Sequence, residues 1–200
     1  MSLEKLMKGN AVFTKTYEKN KQLYSDLVNE GQHPKVMWVG CSDSRVVPEF
    51  IVKANAGDLF VTRNIANIIP PSDAKDSNSS SVLEYAVEHL HVEHIVICGH
   101  TGCGGINAML QGIPQDSIIN DWMKHAYKAK ENAEQQNRGD LEINTIKANV
   151  LLQAEHLLSF SYVKEKVGRK QLKIHKWLYD MSSGKISFYD DHKNEWNLLN

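Results

Sequence analysis

Two short segments of this 200-residue chain carry side chains able to hold a metal ion. Cys41-Ser42-Asp43-Ser44-Arg45 places a thiol, a carboxylate and a guanidinium close together. Far downstream, His100-Thr101-Gly102-Cys103 pairs an imidazole with a second thiol. Thiolate and imidazole suit zinc. Structural zinc sites close the tetrahedron with four protein ligands, whereas catalytic sites keep one position for water. Cys41, His100 and Cys103 form a three-ligand set, so the expectation is a catalytic zinc. Cys98 falls inside the apolar run Ile95-Val96-Ile97-Cys98 and reads as a small core residue. Two thiolates cancel the formal charge of the metal. Water there is less acidic than at an all-histidine site, so activity is expected to favour alkaline pH.

Asp43 and Arg45 admit two readings. One is a surface ion pair of little energetic weight. The other is a dyad beside the metal, in which Arg45 keeps Asp43 ionised and oriented. Asp43 then accepts a hydrogen bond from zinc-bound hydroxide, or turns to take the open position itself and closes the site. Gly102, Gly104 and Gly105 match no phosphate-binding loop. They are expected to let the backbone pass close to the metal, start a helix and present N–H groups to the thiolates. His33, His89, His91, His94, His125, His156, His175 and His192 lack such company and read as surface or helix residues.

The elements around these segments must bring residues some sixty apart into contact. Val36–Gly40, Leu59–Thr62 and Ile95–Cys98 are short apolar runs of the kind found in strands buried on both faces of a parallel sheet. Leu172–Tyr179 alternates as a strand, and Ser182-Ser183-Gly184 turns it into a hairpin partner, Ile186–Tyr189. Helical spacing recurs over residues 1–30, with a break at Asn20. It recurs at Leu83, Ala86, Val87 and Leu90, from Ile106 to Leu110, from Trp122 to Ala133, and from Ile143 to Leu157. Ser81 and Glu84 fit a capping box opening the helix that follows the Ser-rich run. The expected fold is α/β, a central mostly parallel β-sheet with an antiparallel edge strand, flanked by helices and preceded by an N-terminal helical arm. Ligands in such folds sit beyond the carboxyl ends of the strands. That rim collects Cys41 to Arg45, Arg63-Asn64 and His100 to Cys103.

Composition bounds the function. A chain of 200 residues with 42% hydrophobic residues supports one domain, 1–200, without disulfides. The net charge of −1, with no basic stripe, argues against nucleic acid and against a polybasic membrane anchor. The apolar runs are too short for a transmembrane helix. The first residues, Met1 to Lys8, lack the pattern of a secretory signal, and three cysteines make no even disulfide framework. Cytoplasmic localisation is the expectation.

Cys41-x-Asp43-x-Arg45 with His100-x-x-Cys103-Gly104-Gly105 resembles the β-class carbonic anhydrases. The likeness continues through Phe60-Val61-Thr62-Arg63-Asn64-Ile65-Ala66-Asn67 and Glu84-Tyr85-Ala86-Val87. The resemblance implies reversible hydration of carbon dioxide to bicarbonate and a proton, by attack of zinc-bound hydroxide. It implies one Zn2+ per subunit on Cys41, His100 and Cys103, with Asp43 and Arg45 as the catalytic dyad. It also implies a small substrate pocket lined by Phe60, Ile65 and Tyr85, with Gln32 donating to substrate. The assembly is expected to be a homodimer or homotetramer in which the arm, residues 1–30, packs on the partner subunit. One subgroup of the family carries a regulatory bicarbonate site of Trp, Arg and Tyr, matched here by Trp38, Arg63 and Tyr179, with Val46 beside it. In the inactive form of that subgroup the aspartate leaves arginine and ligates zinc. Trp38 and Tyr179 also read simply as core aromatics. The alternatives are a related hydrolase of another cumulated molecule such as carbon disulfide, a structural zinc module closed by Asp43, and a thiol-redox protein.

Overall fold

The computed structural model describes residues 2–136 and 139–199. The chain forms two compact units, Met1–His33 and Pro34–Asn200. The first holds two helices, α1 (Leu3–Lys19) and α2 (Lys21–Glu30). They part at Asn20, whose side-chain amide bonds back to the Thr16 carbonyl at 2.9 Å. Tyr17 stacks on Tyr24 with ring centroids 4.5 Å apart, which ties the two helices together. Neither helix buries a residue, and Leu3, Leu6, Phe13, Leu23 and Val28 stay exposed.

The second unit is built on a six-stranded sheet of order β2-β1-β3-β4-β5-β6. In chain order the strands are β1 (Val36–Cys41), β2 (Leu59–Asn64), β3 (His94–His100), β4 (Lys173–Tyr179), β5 (Ile186–Asp190) and β6 (Glu195–Leu198). The first four run parallel, and β5 and β6 form the antiparallel edge. Alternation divides the apolar side chains between the two faces. Met37, Val39, Ile95 and Ile97 pack with Leu83, Val87, Val150 and Leu157 in one core. Trp38, Val96 and Cys98 gather on another, with Val61, Trp177 and Tyr179 against them.

The helices of this unit are α3 (Pro48–Val52), α4 (Ser77–Glu84), α5 (Gly104–Gln111), α6 (Ile118–Met123), α7 (Tyr127–Gln136), α8 (Leu141–Leu157) and α9 (Ser161–Gly168). Helix α8 is the chief buttress. The Asp140 carboxylate caps its first turn by accepting from the Ile143 N–H. It presses on β3 so closely that a Cβ on Gly99 would lie 2.8 Å from Val150 Cγ2 and 2.9 Å from Ile146 Cγ2. No helix among the described residues is long and apolar enough to cross a membrane.

Two expectations need correction. Ser81 and Glu84 form no capping box, because α4 starts earlier, within the Ser-rich run. The Asp76 side chain caps it, accepting from the Ser79 N–H at 2.7 Å, while the Ser81 hydroxyl donates to the Asn78 carbonyl. After Glu84 the helix widens into a π-turn over Tyr85–His89. His94 and His175 are not isolated surface histidines either. Parallel pairing of β3 with β4 sets them side by side, half-buried, with Nδ1 of the first 3.1 Å from Nε2 of the second.

Candidate metal centre and active site

The parallel register makes the site. Cys41 ends β1 opposite Asn64 at the end of β2, and His100 ends β3 opposite Tyr179 at the end of β4. Cys103 follows three residues later, at the mouth of α5. Cys41, His100 and Cys103 are all buried, and their ligand atoms lie within 4.8 Å of one another. The Cys41 and Cys103 sulfurs are 4.0 Å apart. Two 2.3 Å bonds to a tetrahedral metal would set them about 3.8 Å apart, so the pair fits a zinc ion. The His100 ring agrees. Its Nδ1–H donates to the Thr101 carbonyl at 3.0 Å, which leaves the Nε2 lone pair unpartnered in the interior. An imidazole fixed through one nitrogen with the other bare is the usual form of a metal ligand. Cys98 is apart from this set, and burial pushes its thiol up to about 12.

The two thiols differ electrostatically. The hydrogen bond from the Cys103 thiol draws Cys41 well below the ordinary thiol range, against the effect of burial, and N–H groups of Asp43 and Ala66 help. Cys103 moves up, because it is the donor to Cys41 and because it is buried.

Asp43 and Arg45 form a close bidentate ion pair. Arg45 Nε donates to Asp43 Oδ1 at 2.9 Å and Nη2 to Oδ2 at 2.7 Å, a bidentate fork. The fork, with the Arg45 backbone N–H, holds the Asp43 carboxyl well below the usual carboxylate range. Asp43 Oδ2 lies 4.0 Å from His100 Nε2, so the carboxylate faces the metal position. Arg45 also donates to the Gly102 carbonyl at 3.0 Å and so bridges the two ligand segments.

The residues expected around substrate are placed in pairs. Phe60 and Tyr85 face each other with centroids 5.9 Å apart, and His89 lies 5.5 Å from Tyr85. Ile65 is partly exposed, and it sits where a Cβ on Gly105 would come within 2.6 Å of its Cγ2. Gly105 must be glycine for Ile65 to lie against the start of α5. Gln32 follows α2 in the first unit and is exposed. Trp38 and Tyr179 lie in one apolar cluster, on strands either side of β3. The Trp38 Nε1 is buried with no partner, and a Cβ on Gly40 would come 2.7 Å from it. Arg63 is spent elsewhere, since it donates to the Cys41 carbonyl at 2.8 Å and to the Asp43 carbonyl at 2.7 Å. Val46 is buried, and its N–H also donates to the Asp43 carbonyl.

Sequence reasoning placed Asn64 on the rim without its bracing role, and missed Asn149 and Gln153. Asn64 staples the following turn, accepting from the Ile68 N–H and donating to its carbonyl, both at 2.7 Å. Inside that turn Ala66 and Asn67 hold left-handed backbone, at φ 61° and 49°. Such strain persists only where the surroundings enforce it. Asn149 on α8 donates to the Ala66 carbonyl at 2.9 Å, and Gln153 accepts from the Ile69 N–H at 2.8 Å. Thr145, Asn149 and Gln153, all buried and four apart, are polar positions within the apolar stripe of α8. That interruption is the signal a reader of the sequence could have used.

A sequence-family model described as carbonic anhydrase matches residues 36–186. The chain is 33% identical to a carbonic anhydrase of Synechococcus elongatus over 192 residues, 92% of this chain and 70% of the relative. It is 35% identical to a carbonic anhydrase of Pseudomonas aeruginosa over 182 residues, 87% of this chain and 81% of the relative. Among solved structures it resembles the β-carbonic anhydrase CcaA, with a TM-score of 0.94 and 30% identity over 99% of this chain and 92% of that one. It also resembles a β-carbonic anhydrase of the filamentous ascomycete Sordaria macrospora, from a study of two described as tetrameric. There the TM-score is 0.83 and the identity 32%, over 92% of this chain and 94% of that one.

Proposed function

The chain belongs to the β-class of the carbonic anhydrase family, and on that premise we propose that it hydrates carbon dioxide with one zinc ion per subunit held by Cys41, His100 and Cys103. The observation that carries this reading is the buried Cys–His–Cys cluster with a bare Nε2 aimed into it. When bound, zinc supplies the Lewis acid that makes water nucleophilic near neutral pH. The rest is the work of this chain's own residues. Arg45 keeps Asp43 ionised and directed inward, and Asp43 Oδ2 accepts a hydrogen bond from the reacting water and turns its lone pair toward the substrate carbon. Carbon dioxide has no dipole, so Phe60, Ile65 and Tyr85 bind it by contact and exclude competing water. The two thiolates make the profile rise toward alkaline pH. The exposed apolar stripe of α1 and α2 supports an arm that packs on a partner subunit, in a homo-oligomer like the tetrameric relatives. Buried free thiols suit a reducing cytoplasm.

Stopped-flow hydration by the zinc-loaded chain tests this. Activity rising with pH, and lost by two orders of magnitude or so in Asp43→Ala, is the expected result. A fully zinc-loaded chain that leaves the buffer rate unchanged at alkaline pH would refute it. Turnover of carbon disulfide in its place would move the chain to the hydrolase reading.

A regulatory reading is favoured by one specific observation, the buried Trp38 Nε1 that lies against Gly40 with no hydrogen-bond partner. Bicarbonate there would accept from Trp38 Nε1 and the Tyr179 hydroxyl and compete for Arg63. Arg63 would then let go of the Asp43 carbonyl, and Asp43 would be free to leave Arg45 and close the metal position. Sigmoidal dependence on bicarbonate, abolished by Trp38→Phe, is expected. Simple saturation in the intact enzyme would sink the idea.

A further inference from the structure

The loop between the ligands His100 and Cys103 is held from several sides. The Thr101 N–H donates to the Tyr179 carbonyl at 3.0 Å, and the Thr101 hydroxyl accepts from the Met181 N–H at 3.0 Å. Gly102, with φ +67°, stands between the ligands with both its polar groups engaged by charged side chains. Arg45 Nη2 donates to its carbonyl at 3.0 Å, and its N–H donates to Glu142 Oε1 at 2.7 Å. Glu142 lies in the first turn of α8, forty residues downstream, and is half-buried.

We propose that Glu142 is a positioning residue of the metal centre. By fixing Gly102 it sets Cys103 Sγ against Cys41, and it sets the carbonyl on which Arg45 rests while gripping Asp43. One carboxylate on the main buttressing helix thus couples that helix to a metal ligand and to the dyad. The inference rests on the zinc reading above. Without Glu142 the left-handed Gly102 loses the bond that orients its N–H, and the two peptides flanking it are held only by their carbonyls, through His100 Nδ1 and Arg45.

The test uses the full chain and three proteins: the parent, E142Q, which keeps an oxygen acceptor, and E142M, which keeps length without one. Zinc retention is read by chelator competition, and the cobalt-substituted proteins report thiolate-to-metal charge transfer. E142M is expected to lose zinc ten- to a hundredfold more readily than the parent, with an altered charge-transfer band. E142Q is expected to stay within about threefold and keep the parental band, in line with a role exerted through the acceptor. Equal zinc retention in E142M and the parent overturns the proposal. So does equal loss in E142Q and E142M, since the acceptor would then not matter. Failure of E142M to fold while E142Q folds also overturns it, because Glu142 would then serve the fold as a whole. A parent that takes up no zinc refutes the functional reading as well, which keeps the two failures apart.

Discussion

Zinc uptake should displace one proton from the two thiols rather than two. The Cys41 and Cys103 sulfurs lie 4.0 Å apart. The bond from the Cys103 thiol pulls Cys41 down, and the same bond with burial pushes Cys103 up. Those opposite directions predict that near neutral pH the pair shares a single proton. Both sulfurs must be thiolates to ligate, so binding releases that proton. The affinity then rises tenfold per pH unit, about 1.4 kcal/mol. Two independent thiols near their ordinary value of about 8.5 would release close to two protons at pH 7, and the affinity would rise nearly a hundredfold per unit. Calorimetric titration at pH 7 in buffers of different ionisation enthalpy counts the protons directly. A chelator-competition series between pH 7 and 8 gives the slope independently. A count near two, or a hundredfold slope, would mean that the thiols do not share a proton and that the site is not preformed in the way described.

Gly99→Ala should destabilise the chain by about 1–3 kcal/mol, the usual range for overpacking, because its Cβ would meet Val150 Cγ2 at 2.8 Å and Ile146 Cγ2 at 2.9 Å. Urea unfolding measures the loss, and Val150→Ala in the same chain should return part of it; a Gly99→Ala chain as stable as the parent would show that α8 does not seat on β3 as described. Acid should weaken the fold through His175, whose imidazole burial pushes down to about 4 from 6.5, with His94, Lys173 and Lys176 adding to the shift. Between those values the unfolded chain binds more protons than the folded one, so this contribution is complete above about pH 6.5 and is lost as pH falls toward 4. The full shift corresponds to about 3.4 kcal/mol, and solvent screening of a half-exposed ring reduces it to about 1–2 kcal/mol. His175→Gln should flatten the stability profile over that window, and an unchanged slope would remove the histidine pair from the explanation.

The strands that carry the site were legible because their residues are constrained on two sides. Val36 to Gly40 and Ile95 to Cys98 send Met37, Val39, Ile95 and Ile97 into the core under the helices on one face and Trp38, Val96 and Cys98 into an apolar cluster on the other, so nearly every position is apolar. Elements with less to bury left no such trace. Helix α9 buries only Val163, α3 buries only Pro48 while Phe50 stays exposed, and β6 pairs with β5 alone at the edge of the sheet. The start of α4 was misplaced for a local reason. Asp76 and Ser81 both have the chemistry of a cap, and which of them caps depends on where the chain leaves the preceding turn at Ser72–Ala74.

The site divides along the same line. Groups that hold a metal or orient a reacting water come from a short list of side-chain types, and such types announced themselves at Cys41, Asp43, Arg45, His100 and Cys103. The residues that hold them do so through main-chain groups. Glu142 accepts from Gly102, Asn149 donates to Ala66, Gln153 accepts from Ile69 and Arg63 donates to the carbonyls of Cys41 and Asp43. A main-chain amide is present at every position, so such a partner leaves no matching letter in the sequence. What remains readable is displacement from the expected pattern, a polar residue where the helix stripe calls for an apolar one. Thr145, Asn149 and Gln153 are such displacements on α8, and all three are buried. Asn149 donates to the carbonyl of the strained Ala66, Gln153 accepts from the Ile69 N–H just beyond that turn, and the Thr145 hydroxyl donates back to the Leu141 carbonyl of its own helix. The Ala66 N–H in turn helps lower Cys41, so Asn149 on α8 reaches the Cys–His–Cys cluster through one residue, bonded at its carbonyl on one side and at its N–H on the other.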